Sequence, residues 1–322
     1  MENVYVDLYA VKRSGQIGPK SKFALLSEVV SSYFSAVYTR LGGGYGAGFH
    51  LFIFRKALQA FLNRKLTFME FYYLACLPMD SFRYFEFHQA FEYIRKVKAN
   101  AYLDISSPRF FPAFVLSHKQ VDHAVLLNPD VKDLDQTRDL FPRLGLQKKG
   151  DIRYDGNLID DLAAPDESFD LISAISVFEH IPEESIRPSI RKVFDLLRPG
   201  GFFVVSIPVS PRPFNEYINW NEYGLQKEEK RSEESYFFGQ RFHDQALIEQ
   251  YFCSVFGDPV RKDIIGEKEA GYFFANRLQK INDPAYPYHW EALDFFRNYR
   301  PFNAIPELTG IGVIALLFQK RQ

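Results

Sequence analysis

Two phrases constrain the fold of this chain more than anything else in it: Phe169-Asp-Leu-Ile-Ser-Ala-Ile-Ser-Val-Phe-Glu-His-Ile181 and Leu197-Arg-Pro-Gly-Gly-Phe-Phe-Val-Val-Ser-Ile-Pro208. Leu171 to Ile175 and Phe202 to Ile207 are apolar but for one serine each, Ser173 and Ser206, which suits strands covered by helices on both faces. Between them Ile190, Val193, Phe194 and Leu197 recur at helical spacing, and Pro199-Gly200-Gly201 is an ordinary helix stop. Strand, loop, helix and strand in that order describe a parallel crossover unit. Glu179 and His180 then fall just past the carboxyl end of the first strand, where open α/β sheets hold their ligands.

The rest of the second half continues the alternation. Short β-type runs stand at Tyr102 to Ile105, Ala124 to Leu127, Ile152 to Tyr154, Lys262 to Ile265 and Ile311 to Phe318, with a helical stretch at Asp244 to Phe252. Phe87, Phe91, Ile94 and Val97 repeat at helical spacing, with Glu92, Arg95, Lys96 and Lys98 on the other side, so a helix lies against the sheet before its first strand. Residues 1–85 show no strand and helix alternation; Phe52 to Leu77 suits two helices. The glycine run Gly42 to Gly48 has no strand before it and no Lys-Ser/Thr after it, and reads as a connector rather than a phosphate loop. A long stretch, Pro211 to Phe242, carries Phe214, Tyr217, Trp220, Tyr223, Tyr236 and Phe237. A connection of that length in a compact domain is functional or disordered.

Charge and cysteine content narrow the partners. With 39 basic and 40 acidic residues, no overall field favours nucleic acid or an anionic membrane. No apolar run approaches the roughly 20 residues that span a bilayer. Cys76 and Cys253 are too few for a disulfide framework or metal cluster, and a cytoplasmic location is expected. The 33 Phe and 19 Tyr imply a thickly padded core or aromatic binding surfaces.

The two phrases resemble the second half of class I S-adenosylmethionine-dependent methyltransferases of the type 11-like kind. The resemblance covers about residues 86–322. It implies a Rossmann-like sheet of seven strands with helices on both faces and an antiparallel last strand; residues 1–85 fall outside it and are expected to form a helical N-terminal extension. It implies S-adenosyl-L-methionine as cofactor, and a substrate-covering insertion or lid at residues 211–242. Carried over by position, the cofactor residues are Asp104, Ser106 and Ser107 in the first loop, Asn128 at the ribose, Ser176 beside the ring, and at the adenine amino group Asn157, which can hydrogen-bond where the adjacent Leu158 cannot, with Asp160 and Asp161 as nearby alternatives. Glu179 and His180 form the pair beside the reacting centre, either as a general base or as a brace for the loop. Tyr217, Trp220 and Arg241 of the insertion are expected to contact the acceptor.

The first loop departs from the family. Glycines normally let backbone amides approach the cofactor, whereas here the text is Leu103-Asp-Ile-Ser-Ser-Pro-Arg-Phe110 with none. Ser107 is expected to cap the next helix and Pro108 to take its first position, so that a helix N-terminus still points into the crevice. Ser-Ser-Pro in this place is similar to a variant group of methyltransferase-like proteins. Asn128 carries no charge, and Asn128-Pro129 also suits a simple turn. The resemblance therefore implies methyl transfer to a small-molecule or glycan-type acceptor, with no nucleic acid and no membrane span. The alternative is a degenerate, non-catalytic module of the same fold serving as a scaffold. The oligomeric state has no signature in the sequence.

Overall fold

The computed structural model describes residues 1–6, 21–146, 151–219, 228–231, 234–283 and 286–321. Strand β1 (Glu2–Val6) precedes helices α1 (Lys22–Leu41), α2 (Ala47–Leu62) and α3 (Phe68–Cys76), and α4 (Arg83–Ile94) leads into the sheet. Strands and helices then alternate as β2 (Ala101–Ile105), α5 (Phe110–His118), β3 (His123–Leu127), α6 (Val131–Arg143), β4 (Asp151–Asp155), β5 (Phe169–Ile175), α7 (Glu183–Leu196) and β6 (Leu197–Val209). After β7 (Phe214–Ile218), β8 (Glu228–Arg231) and β9 (Glu234–Phe242) come α8 (Gln245–Ile248) and α9 (Ser254–Phe256), joined by a π turn. The chain closes with β10 (Arg261–Glu267), α10 (Tyr272–Asn282), α11 (Glu291–Asn298), β11 (Tyr299–Phe302) and β12 (Gly312–Gln319).

The main sheet has eight strands in the order β11-β10-β12-β6-β5-β2-β3-β4. Strands β6, β5, β2, β3 and β4 run parallel, and β12 lies antiparallel between β6 and β10. All seven expected strands are present. The eighth, β11, pairs with β10 at the sheet edge. It is four residues long and contains Pro301, which lacks an N–H and belongs on an edge; nothing in its composition announces a strand.

Burial explains the mostly apolar runs. Leu171, Ile175 and Val204 face a core shared with α1 to α5, while Ile172, Ala174, Phe203 and Val205 face α7 and the helix 245–256. Both faces are covered, so both sets of alternating positions must be apolar. The helix stop falls earlier than expected: α7 ends at Leu196, Leu197 is already extended, and Pro199-Gly200-Gly201 form the irregular start of β6. Gly200 sits there at φ 81°, opposite a register shift between Phe169 and Leu171.

The N-terminal region departs further from an all-helical extension. Helices α2 and α3 lie where two were expected, but β1 pairs in parallel with β7, Glu2 opposite Phe214 through Val6 opposite Ile218. With β9 and β8 these make a second sheet, order β1-β7-β9-β8. The described part of the stretch 211–242 is thus largely sheet, completed by β1; Trp220 lies outside the described residues. The glycine run does act as a connector, between α1 and α2. Gly46 adopts φ 67°, and a Cβ there would come within 2.4 Å of the Tyr84 carbonyl oxygen, so close approach of α4 requires glycine. No described helix is long and apolar enough to cross a membrane.

Candidate active site

The carboxyl ends of β2, β3 and β5 open onto one cleft of about 1460 Å³, walled on the far side by the second sheet. Ser106, Ser107, Asn128, Ser176, His180, Tyr217 and Arg241 all line it. These residues span more than a hundred positions of sequence, and the parallel sheet brings them together because each follows a strand end or lies on the inner side of β7 and β9.

Asp104 lies beneath the cleft, 3% exposed. Its carboxylate accepts hydrogen bonds from the Ser107 N–H (3.1 Å), the Ser173 hydroxyl (2.5 Å) and the Tyr102 hydroxyl (3.1 Å). Burial pushes its carboxyl up to about 6. It anchors the loop rather than offering a free ligand. Ser106, at the first glycine position, keeps the backbone a glycine would have: φ is 49°, with its N–H bonded to the Leu127 carbonyl at 2.7 Å. A left-handed serine is strained locally and persists only when its surroundings fix it. The Ser107 hydroxyl accepts the Ile175 N–H at 3.0 Å, tying this loop to the end of β5. It therefore does not cap α5, whose first turn starts after Arg109 without a side-chain cap, and Pro108 precedes the helix. A buried N–H at a strand end is the more costly group to leave unpaired.

Asn128 is engaged locally. Its Oδ1 accepts the Asp130 N–H at 3.0 Å and its Nδ2 donates to Asp133 at 3.1 Å, closing a turn into α6, which Asp130 caps. Asp130 also lines the cleft, which puts a carboxylate beside the expected ribose position. Asn157 points elsewhere: its amide donates to Asp155 at 2.8 Å, and Leu158, Ile159 and Asp160 line the cleft in its place.

Helix α4 brings two residues that the sequence reading passed over. Glu86 is completely buried, ion-pairs with Arg83, and accepts hydrogen bonds from the hydroxyls of Ser176 and Ser206. Arg83 reaches the cleft and also donates to Ser176. A glutamate between Phe85 and Phe87, on the buried side of a helix, was the available signal, because such a carboxylate needs a partner. Glu179, 2% exposed, stands beside this pair with its Oε2 lacking a hydrogen bond among the described residues. Burial, then repulsion from Glu86, pushes its carboxyl up to about 8.

His180 turns towards the second sheet, its Nδ1 donating to the Gly239 carbonyl at 2.6 Å. Nε2 lies 3.9 Å from Glu179 Oε1. Burial holds the imidazole down to about 4, so it is neutral near pH 7. The bond to β9 is the geometry of a brace between the β5 loop and the second sheet. His180→Ala is accordingly expected to lower melting temperature and cofactor affinity together; turnover falling roughly 100-fold with both unchanged would instead mark a general base.

Arg241 is 2% exposed yet borders the cleft. It donates to the Ile181 carbonyl at 3.3 Å, lies 5.4 Å over the Phe238 ring, and its Nε has no partner among the described residues. Asn215, opposite it in register, likewise has an unbonded buried Oδ1. Tyr217 stacks on Tyr5 of β1 at 5.3 Å, so the N-terminal strand supports the cleft wall.

Comparison with known proteins agrees with this architecture. Residues 111–203 match the family model described as a methyltransferase domain, which bears out the resemblance to class I S-adenosylmethionine-dependent methyltransferases. No curated protein matches the chain. Among solved structures, the YcgJ protein of Bacillus subtilis is 14% identical, with 73% of this chain and 99% of that one covered and a TM-score of 0.46. A Burkholderia thailandensis 1,6-didemethyltoxoflavin-N1-methyltransferase, solved with 1,6-didemethyltoxoflavin and S-adenosylhomocysteine, is 14% identical over 74% of this chain and 79% of its own, TM-score 0.41. The [4+2]-cyclase SpnF is 13% identical over 73% and 79%, TM-score 0.44.

Proposed function

We propose that this protein transfers a methyl group from S-adenosylmethionine to a small-molecule or sugar-type acceptor bound in the cleft. The observation that carries this reading is the gathering of Ser106, Asn128, Ser176, His180 and Arg241 around one cavity at the carboxyl ends of β2, β3 and β5. The residues present fit the cofactor. The cavity, at about 1460 Å³, exceeds the roughly 300–1,000 Å³ usual for one ligand, leaving room for an acceptor. Ser106 retains the left-handed backbone of the missing glycine. In this reading Ser106 and Ser107 meet the amino-acid end of the cofactor, Arg83 receives its carboxylate, Asn128 with Asp130 holds the ribose, and Ile159 and Ser176 flank the adenine. When bound, the cofactor supplies an electrophilic methyl group.

The chain's own part is alignment. In-line displacement rewards correct placement of the attacking atom more than proton transfer, so the absence of an obvious triad is no obstacle. Tyr217 and Arg241 orient the acceptor, a hydroxyl or carboxyl compound, while β7 and β9 exclude water. His180 keeps the β5 loop joined to that sheet, and Glu179 keeps its proton at neutral pH. A small-molecule acceptor and a cytoplasmic location suit this reading.

Calorimetric titration with S-adenosylhomocysteine tests the proposal. Heat of binding and a raised melting temperature are expected, as for any ligand that binds only the folded state. A silent titration with no thermal shift would favour the scaffold reading instead, which is supported by the internal engagement of the Asp104 and Asn128 side chains.

A further inference from the structure

Helix α1 has two faces, and among the described residues only one is covered. Leu25, Val29, Ser32, Ala36 and Thr39 are buried against the helices beneath. On the other face Phe23 is 82% exposed, Leu26 50%, Val30 48%, Phe34 62%, Tyr38 62% and Leu41 84%. Their spacing continues over the whole helix at three and four residues, the period of a helix-packing stripe. The only charged side chains on α1 are Lys22, Glu28 and Arg40, and Glu28 turns aside to accept the Tyr72 hydroxyl. The stripe itself is uncharged.

The stripe is also symmetric about position 32. Phe23 and Leu41, Leu26 and Tyr38, and Val30 and Phe34 are equidistant from Ser32, and the smaller Ser31 and Ser27 mirror Tyr33 and Val37. Two copies of α1 laid antiparallel about a two-fold axis at this position would set each large apolar side chain against another, large opposite small at the flanks. That self-complementarity is what an isologous contact requires. Six such side chains offer roughly 100 Å² each, or roughly 1,200 Å² over two copies, which reaches the lower end of specific interfaces. A monomer seldom exposes a contiguous patch larger than this. A lipid surface is the weaker fit, because Lys22 and Arg40 are the only basic residues of α1 beside the stripe, fewer than the Lys/Arg-rich polar face of an interfacial helix.

We propose that the protein forms a two-fold homodimer through antiparallel pairing of α1 centred on Ser32, with Val30 of one copy against Phe34 of the other. The contact lies on the N-terminal helices, apart from the cleft, and is independent of the methyl-transfer reading. Sedimentation velocity of the full chain at micromolar concentration tests it. The unaltered protein is expected to sediment as a dimer, and Val30→Glu and Phe34→Lys each as monomers with unchanged circular dichroism. Mixing the two variants should restore a dimer, since only antiparallel pairing at this register sets position 30 of one copy against position 34 of the other. A monomeric unaltered protein, dimers that survive both substitutions, or a mixture that stays monomeric would overturn the proposal. So would a monomer that pellets with neutral phosphatidylcholine vesicles, which would assign the stripe to a membrane surface.

Discussion

Arg83→Met is expected to remove roughly 3 kcal/mol of folding stability, the low end of the cost of stranding one member of a buried ion pair. Glu86 is fully buried, and Arg83 is the only cation within ion-pair distance of it among the described residues. Without the guanidinium, the carboxylate keeps only the Ser176 and Ser206 hydroxyls, which solvate a charge without neutralising it. Arg83 is itself partly exposed at the cleft, so some water can enter, which is why the low end applies. The compensating change discriminates. Glu86→Met in the same background should recover most of the loss, because an apolar pair is no worse than a satisfied buried ion pair. Urea titration of the four proteins measures the coupling; a loss under about 1 kcal/mol for Arg83→Met, or no recovery in the double variant, would mean that the pair is not the fastening between α4 and the strand ends.

Glu179→Gln is expected to stabilise the protein by roughly 3 kcal/mol at pH 8 and to change nothing near pH 4.5. The sign follows from the raised carboxyl, which burial and Glu86 push up to about 8. A group whose folded value lies above its unfolded one contributes stability that is complete below the unfolded value and is lost as pH rises through the folded one. Glutamine does not titrate, so the alkaline loss disappears. On the acid side the opposite holds for the buried imidazoles. His50 and His180 are held down to about 4 and His243 to about 3, burial being the main cause for each. Their stability is present above the ordinary histidine value and is lost as pH falls through the folded values. The unaltered protein should therefore be most stable near pH 7, above the ordinary histidine value, and the variant should show a plateau from there to pH 8. Melting temperatures across that range decide it; parallel curves for the two proteins would show that Glu179 does not hold its proton.

The sheet was legible because its strands are covered on both sides. Predominantly apolar runs such as Phe202 to Ile207 carry their own evidence of burial, and each of the seven expected strands lies where its run stands. What escaped was pairing between distant segments. The β1 sequence, Glu2 to Val6, acquires meaning as a strand only when β7 lies beside it, more than two hundred residues away, and the edge strand β11 has no composition of its own to report. The aromatic-rich stretch was recognised as part of the site region, but not as a sheet.

At the cleft, residue type fixed which positions were polar and the strand ends fixed where they would meet, so Ser106, Asn128, Ser176, His180 and Arg241 share a wall. Their partners were not written locally. Asp104 is drawn down by Tyr102 and Ser173, the Ser107 hydroxyl goes to a strand-end amide instead of its own helix, and Glu86 arrives from a helix whose pattern read as packing alone. Apolar periodicity is a property of neighbouring residues and determines the elements. Hydrogen bonds and charge pairs depend on which elements are adjacent in space, so the tertiary structure alone decided which side chains face the cleft and which are held beneath it.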